Sequence, residues 1–273
     1  MPIAPIRTIT FGIAEAHPLK SEILERAAAA LQNASIRYME AGYEVQTVRL
    51  STRPIFDDLA GWSSSALLNY VQELQRILDD IGLSYCSLGT AQATRPGFPL
   101  ERLDLVADLL ASTSALNATV QIATPTHSLR AAAALPAARV MKRLAQETEE
   151  GFGNFRFAML ACVEPGNPFF PSAYHSGPAS LAIGLQGAGI VVEAVQNHMT
   201  GNAGPPDLFK LSEDVKIALV RHAQPIVELA QELASRHGLI FAGIDLSPAP
   251  MGEDSITAAL ELCGFGPVGA PGT

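Results

Sequence analysis

The chain predicts an α/β fold, a mostly parallel sheet or barrel formed by one domain over residues 1–273. Three observations carry that expectation. Short β-branched or apolar runs alternate with longer stretches whose apolar residues recur at helical spacing. The helical stretches end on glycine, at Gly42, Gly82 and Gly238, as helices do. The apolar run Leu239–Ile244 stops abruptly at Asp245, the pattern of a buried strand that delivers polar groups at its C-terminal end.

Arg7–Ile13 reads as a first strand, closed by Gly12 and the polar Glu15 and His17. Pro18 leads into a helix with Leu19, Ile23, Leu24, Ala27 and Leu31 on one face, and Glu44–Ser51 alternates as a second strand. Ser63, Ser64 or Ser65 caps the next helix, and Leu83–Gly89 is a third strand. A turn at Arg95, Pro96 and Gly97 precedes a helix near Leu100–Ser114 and a strand near Ala118–Ala123. Thr126 or Ser128 then caps an alanine-rich helix reaching Glu149, which Pro136 should kink or divide. Phe155–Val163 is the longest apolar strand candidate; a Pro- and aromatic-rich connection follows to Pro178. Ser180–Leu185 is a strand turning through QGAG into a helix, and Ser212 caps the last long helix, which Pro225 should bend. Alternation of this kind implies parallel strands joined by crossover helices.

Hydrophobic residues make up 48% and charged residues 16%, a composition that buries a core. The net charge of -9, with 18 Lys and Arg in no dense run, excludes nucleic acid as a partner. Cys86, Cys162 and Cys263 form neither a disulfide framework nor a metal-ligand spacing, which fits a reducing compartment. The N-terminus lacks the order of a signal peptide and no apolar run reaches membrane-spanning length, so a soluble, cytoplasmic protein with no membrane partner is expected.

Two stretches are the candidate site. Asp245 ends its strand, and Ser247, Glu253, Asp254 and Ser255 follow before the helical pattern ITAALELC. Asp245 there suits a general base, a metal ligand or a hydroxyl anchor, while Asp254 or Ser255 equally suits an N-cap. The connection Glu164–His175 is long enough to be functional. In it Tyr174 and His175 form a proton-transfer pair or clamp, with Asn167 beside them; alternatively, Phe169, Phe170 and Tyr174 pack the loop and a backbone carbonyl satisfies His175. Gly184–Gly189 lacks the remaining features of a phosphate loop and reads as a tight strand-to-helix turn. No cofactor follows from the residues, and no histidine spacing names a metal.

Four stretches together resemble one family: RTITFGI at Arg7–Ile13, GNPFFPSAYHSG at Gly166–Gly177, IDLSPAP at Ile244–Pro250 with its GEDS continuation, and VGAPGT at Val268–Thr273. In this order they are similar to domain-of-unknown-function family 711, the uncharacterised 0210 proteins. The resemblance implies a barrel-like fold similar to the pyruvate formate-lyase class of glycyl radical enzymes, and no established activity or catalytic residue. Members continue beyond the VG-x-x-GT motif, so the chain is expected to be the N-terminal portion of a longer domain. A homo-oligomer or a second-half polypeptide would then complete it, since open strand edges are avoided.

The function expected is an enzyme acting on a small polar metabolite at the strand C-terminal ends. His175 and Asp245 would be catalytic, and Ser247, Asp254, Ser255, Asn167 and Tyr174 would bind substrate. A radical mechanism is disfavoured by the lack of paired cysteines. The alternative is a non-catalytic ligand-binding or subunit-assembly protein. Convergence of His175 and Asp245 on one pocket separates the two readings.

Overall fold

The computed structural model describes residues 4–200, 206–251, 254–264 and 266–271, with the backbone alone at 250, 251 and 254. The chain opens with β1 (Ile6–Gly12), α1 (Ser21–Glu40), β2 (Val48–Ser51), the short α2 (Ile55–Asp58) and α3 (Ser64–Asp80). Next come β3 (Cys86–Ala91), α4 (Asp104–Ala111), β4 (Leu116–Thr124), β5 (Ser128–Leu129), α5 (Ala134–Glu147) and β6 (Phe157–Ala161). After a long connection follow β7 (Ser180–Leu185), α6 (Ala188–Met199), α7 (Leu208–Arg236) and β8 (Ile240–Asp245). A hairpin of β9 (Pro250–Met251) and β10 (Asp254–Ser255) leads into α8 (Ile256–Leu262).

One 8-stranded sheet holds the structure together in the order β5-β4-β3-β2-β1-β7-β8, with β6 also pairing β4. Strands β1, β2, β3, β4 and β6 run parallel, each beside its predecessor. This is the mostly parallel α/β sheet that alternation implies, but among the described residues it does not close into a barrel. Strand β7 enters antiparallel to β1, and β8 runs parallel to β7. The reason is local. A parallel partner needs a crossover, usually a helix, and the connection from β6 to β7 contains neither helix nor strand.

Register sorts the two faces of the sheet. Leu181, Phe11, Leu50, Cys86 and Leu116 lie side by side across five strands, and the adjacent row is Ser180, Gly12, Ser51, Ser87 and Asn117. Because successive side chains point to opposite faces, one face is apolar and the other polar. The apolar face packs on the helices. Leu24, Leu31 and Tyr38 of α1, Leu67 and Leu74 of α3, and Leu109 of α4 are fully or nearly fully buried in the same core. The Tyr38 hydroxyl donates to Ile226 O at 2.8 Å and ties α1 to α7; burial raises its pKa.

Several boundaries differ from the sequence expectation. Helix α7 is capped by Asp207, whose carboxylate accepts from Phe209 N at 3.1 Å, and Ser212 lies inside it. Pro225 is on its exposed side, where water can bond the carbonyl it frees, and one helix runs through it. Ser128 is in β5, not at a helix cap, and Pro136 falls in the first turn of α5, where no intrahelical N–H is lost. Among the described residues no helix is long and apolar enough to cross a membrane.

Candidate functional site

A cavity of about 530 Å³ opens at the C-terminal ends of the parallel strands. Where β2 ends, Arg53 and Pro54 lead straight into α2, so the short helix presents Asp57 and Asp58 at the cavity wall. Arg53 Nη2 donates to Asp58 Oδ1 at 2.7 Å, and Arg95, from the turn after β3, pairs with Asp57 at 2.7 Å. Burial raises the Asp57 carboxyl above the ordinary value; Arg95 opposes this, Asp58 adds to it and Arg53 opposes it. Gln121 of β4, 2% exposed, donates from Nε2 to Val163 O at 2.7 Å, while its Oε1 has no partner among the described residues. Unpaired buried acceptors are costly, and this one is on the cavity wall.

The connection between β6 and β7 lies across the polar face of the sheet. Ser87 Oγ donates to Ala173 O, and His175 N donates to Thr52 O at 2.9 Å. Tyr174 lines the cavity and donates its hydroxyl to Val163 O at 2.7 Å; burial raises its phenol, opposed by a bond from Gln92. His175 sits beneath, 3% exposed, with Nε2 3.0 Å from Pro178 O. A carbonyl only accepts, so Nε2 carries the proton and Nδ1 faces Gly12. Burial depresses the pKa of His175 against the opposing Pro178 and Gly177 backbone contacts. Asn167 is engaged within the loop: Nδ2 donates to Glu164 O at 3.2 Å and Ser172 O at 3.3 Å, and Oδ1 accepts from Phe169 N at 3.1 Å.

Behind the cavity lies His17. Its Nε2 is 2.8 Å from Thr52 Oγ1, which itself donates to Ser87 O, and its Nδ1 is 2.8 Å from the Tyr70 hydroxyl. The Tyr70 oxygen accepts from Leu19 N at 2.8 Å. The donors therefore order as His17 Nε2–H to Thr52 and Tyr70 O–H to His17 Nδ1, a fully satisfied neutral imidazole. Its pKa falls to about 4, mainly through burial, with Asp58 opposing.

Asp245 is elsewhere. It pairs in register with Gly184, which pairs with Thr8, four positions along β1 from Gly12 and the His175 ring. At about 3.3 Å per residue that is roughly 13 Å of strand. The structure thus places His175 and Asp245 toward opposite ends of the sheet and does not bring them together. Asp245 forms an ion pair with Arg7, and its Oδ1 accepts from Ser247 N at 2.8 Å. Ser255 caps α8, its Oγ accepting from Thr257 N at 3.2 Å. Asp254 contributes backbone to the hairpin, and its side chain, like Glu253, lies outside the described residues. Of the sequence-predicted site residues whose side chains are described, Tyr174 alone lines the C-terminal cavity. Asp245→Ala is expected to lower stability by about 2 kcal/mol, between the cost of breaking an exposed and a buried ion pair, because Arg7 is 18% exposed and Asp245 5%. Urea unfolding checks it.

Cys86 is buried in β3 and its thiol is pushed up to about 12, which disfavours the thiolate a nucleophile needs. Cys162, read from the sequence as part of an apolar strand, is exposed just past β6 with φ 55°. No three His, Cys, Asp or Glu among the described residues converge on a metal position. The sequence reading passed over Arg53, Asp57, Asp58, Arg95 and Gln121. The available signal was the run R-P-x-x-D-D immediately after the second strand, which sets charges at a strand's C-terminal end.

Comparison with known proteins agrees in giving no activity. The chain is 25% identical to the UPF0210 protein of Carboxydothermus hydrogenoformans, over 98% of this chain and 63% of that one. It is 25% identical to that of Actinobacillus pleuropneumoniae, over 98% and 62%, and to that of Methanococcoides burtonii, over 85% and 52%. It therefore spans less than two thirds of the length of these relatives. The model of the family described as Uncharacterised ACR (DUF711) matches residues 3–273, and with nearly the whole chain matched, the protein belongs to that family.

Proposed function

We propose that this chain forms the substrate cavity of an enzyme that moves a proton on a small polar metabolite at the C-terminal ends of β1–β4 and β6. The observation that carries this reading is the pair of arginine–aspartate contacts, Arg53–Asp58 and Arg95–Asp57, on the wall of one cavity. Ligands of open α/β sheets bind outside the carboxyl ends of the strands. A carboxyl raised by burial is suited to general acid–base work, so the role expected of His175 passes to Asp57. Arg95 positions an acidic or carbonyl group of the substrate, and Gln121 Oε1 accepts from a substrate hydroxyl. Tyr174 keeps the binding role read from the sequence. His175 and Asn167 anchor the loop that carries Tyr174, while Asp245, Ser247 and Ser255 hold the opposite end.

Three further features belong to the same proposal. A cytoplasmic setting is supported by three unpaired cysteines. A barrel similar to that of the glycyl radical enzymes is supported by strands laid down in order with helices on one face and a loop on the other. A second copy or a second polypeptide would pair with the outer edges of β6 and β8.

The test is a thermal-shift screen of small hydroxy and keto acids, followed by turnover assays on each hit. Asp57→Asn is expected to keep binding and lose roughly 100-fold or more in turnover, and Arg95→Gln to weaken binding roughly tenfold or more. Hits that neither variant affects would remove the cavity from consideration.

A further inference from the structure

A second cavity, of about 630 Å³, lies toward the N-terminal ends of the same strands. At its wall is Arg49. In register with Thr10, it projects from β2 onto the polar face, opposite in direction to the buried Leu50. Its Nε donates to Thr47 Oγ1 at 3.1 Å. Its guanidinium carbon lies 5.1 Å from the Tyr85 ring centroid and 5.0 Å from that of Phe170, so the group is held between two aromatic rings.

Arg49 differs from other arginines at the two ends of the sheet. Arg7, Arg53 and Arg95 each pair with an aspartate, and Arg156 and Arg130 donate to backbone carbonyls. No carboxylate among the described residues pairs with Arg49, and its two terminal nitrogens donate to no acceptor there. Burial lowers its pKa, Tyr85 opposes that, and the neighbouring Arg7 cation adds to it. A half-buried cation with no carboxylate partner among the described residues favours an anion.

We propose that this cavity binds a small aromatic monocarboxylate, its carboxylate forked on the Arg49 guanidinium and its ring among Tyr85, Phe152, Phe155 and Phe170. Three features select that class. The planar guanidinium offers two parallel donors that match a carboxylate. The walls are aromatic, with the Phe152 and Phe155 rings 4.9 Å apart, tilted at 37° and 64% and 74% exposed, which leaves ring surface available to a ligand ring. Asp79 also lines the cavity, and its charge would oppose a phosphate dianion more than a monoanion. Asn117, which donates from Nδ2 to Ala115 O at 3.3 Å, keeps its amide oxygen for a hydroxyl or amine on the ring. This site is separate from the C-terminal cavity, and either proposal stands or fails without the other.

The experiment is calorimetric titration of the full chain with benzoate and with the neutral isostere benzamide. Benzoate is expected to bind roughly 10- to 100-fold more tightly, the margin of a charge-assisted contact. Arg49→Gln should abolish that margin, Arg49→Lys should restore part of it, and Phe155→Ala, at an exposed ring, should weaken benzoate several-fold. Phe155→Ala and the benzoate–benzamide comparison decide the matter even where Arg49→Gln does not fold, since Arg49 also clamps Phe170. Equal affinity for the two probes, no binding of benzoate in the millimolar range, or benzoate binding untouched by Phe155→Ala and Arg49→Gln would each overturn the proposal.

Discussion

Gly12→Ala is expected to destabilise the protein by about 3 kcal/mol, the upper part of the range for overpacking a core. A methyl group at this position would fall well inside contact distance of His175 Nδ1, 2.6 Å from His175 Cε1 and 2.5 Å from Ser180 Oγ. The serine hydroxyl can rotate away. The imidazole cannot, because its residue is held at N by Thr52 O and at Nε2 by Pro178 O, with the ring buried. Relief therefore requires the whole loop to lift, and Tyr174 moves with it. In a chain of this size the melting temperature should fall by roughly 5–10 °C. His175→Ala makes room for the methyl group, so the double variant should recover part of the loss, a coupling that a double-mutant cycle measures. A Gly12→Ala protein melting with the parent would show that the His175 ring does not hold the loop against the sheet.

Acidification is expected to remove about 3 kcal/mol of stability through His17 alone. Its pKa is about 4 in the folded protein against 6.5 as the ordinary value, and each unit is worth ~1.4 kcal/mol. The sign follows from the direction of the shift. Between the two values the unfolded chain binds more protons than the folded one, so stability rises with pH. The contribution is fully present above about 6.5, declines as the pH falls toward 4, and is gone below it. His175, also depressed by burial, acts in the same direction. Protonation at Nδ1 of His17 would turn the acceptor of the Tyr70 hydroxyl into a donor and break the chain from Tyr70 through His17 to Thr52 and Ser87. Urea titrations from pH 7.5 to 4 check this, with His17→Gln as the control. That variant lacks the titrating ring, and its profile should be flatter by about the same 3 kcal/mol. Parallel profiles for parent and variant would place the acid sensitivity elsewhere.

Local patterns carried much of the fold. The alternation in RTITFGI, the glycine stops at Gly42, Gly82 and Gly238, and the serine cap at Ser63 depend on neighbours a few residues away, and the structure has β1, α1, α3 and α7 there. Those patterns are legible because hydrogen bonding and side-chain period act over one or two turns. The direction of β7 was not, since it depends on whether the preceding loop crosses the sheet or forms a helix. Nor was the separation of His175 from Asp245: both end apolar runs or follow them, but their strands enter the sheet from opposite directions, a fact no stretch of sequence contains. The charges that do meet come from segments after two different strands, Arg53 and the α2 residues Asp57 and Asp58 after β2 and Arg95 from the turn after β3, and the parallel pairing of β2 with β3 brings those segments to one end. By itself the sequence determined the elements, the family resemblance and the loop that matters; the tertiary structure decided which side chains share a cavity, because that depends on strand order and direction, set by contacts between residues far apart in the chain.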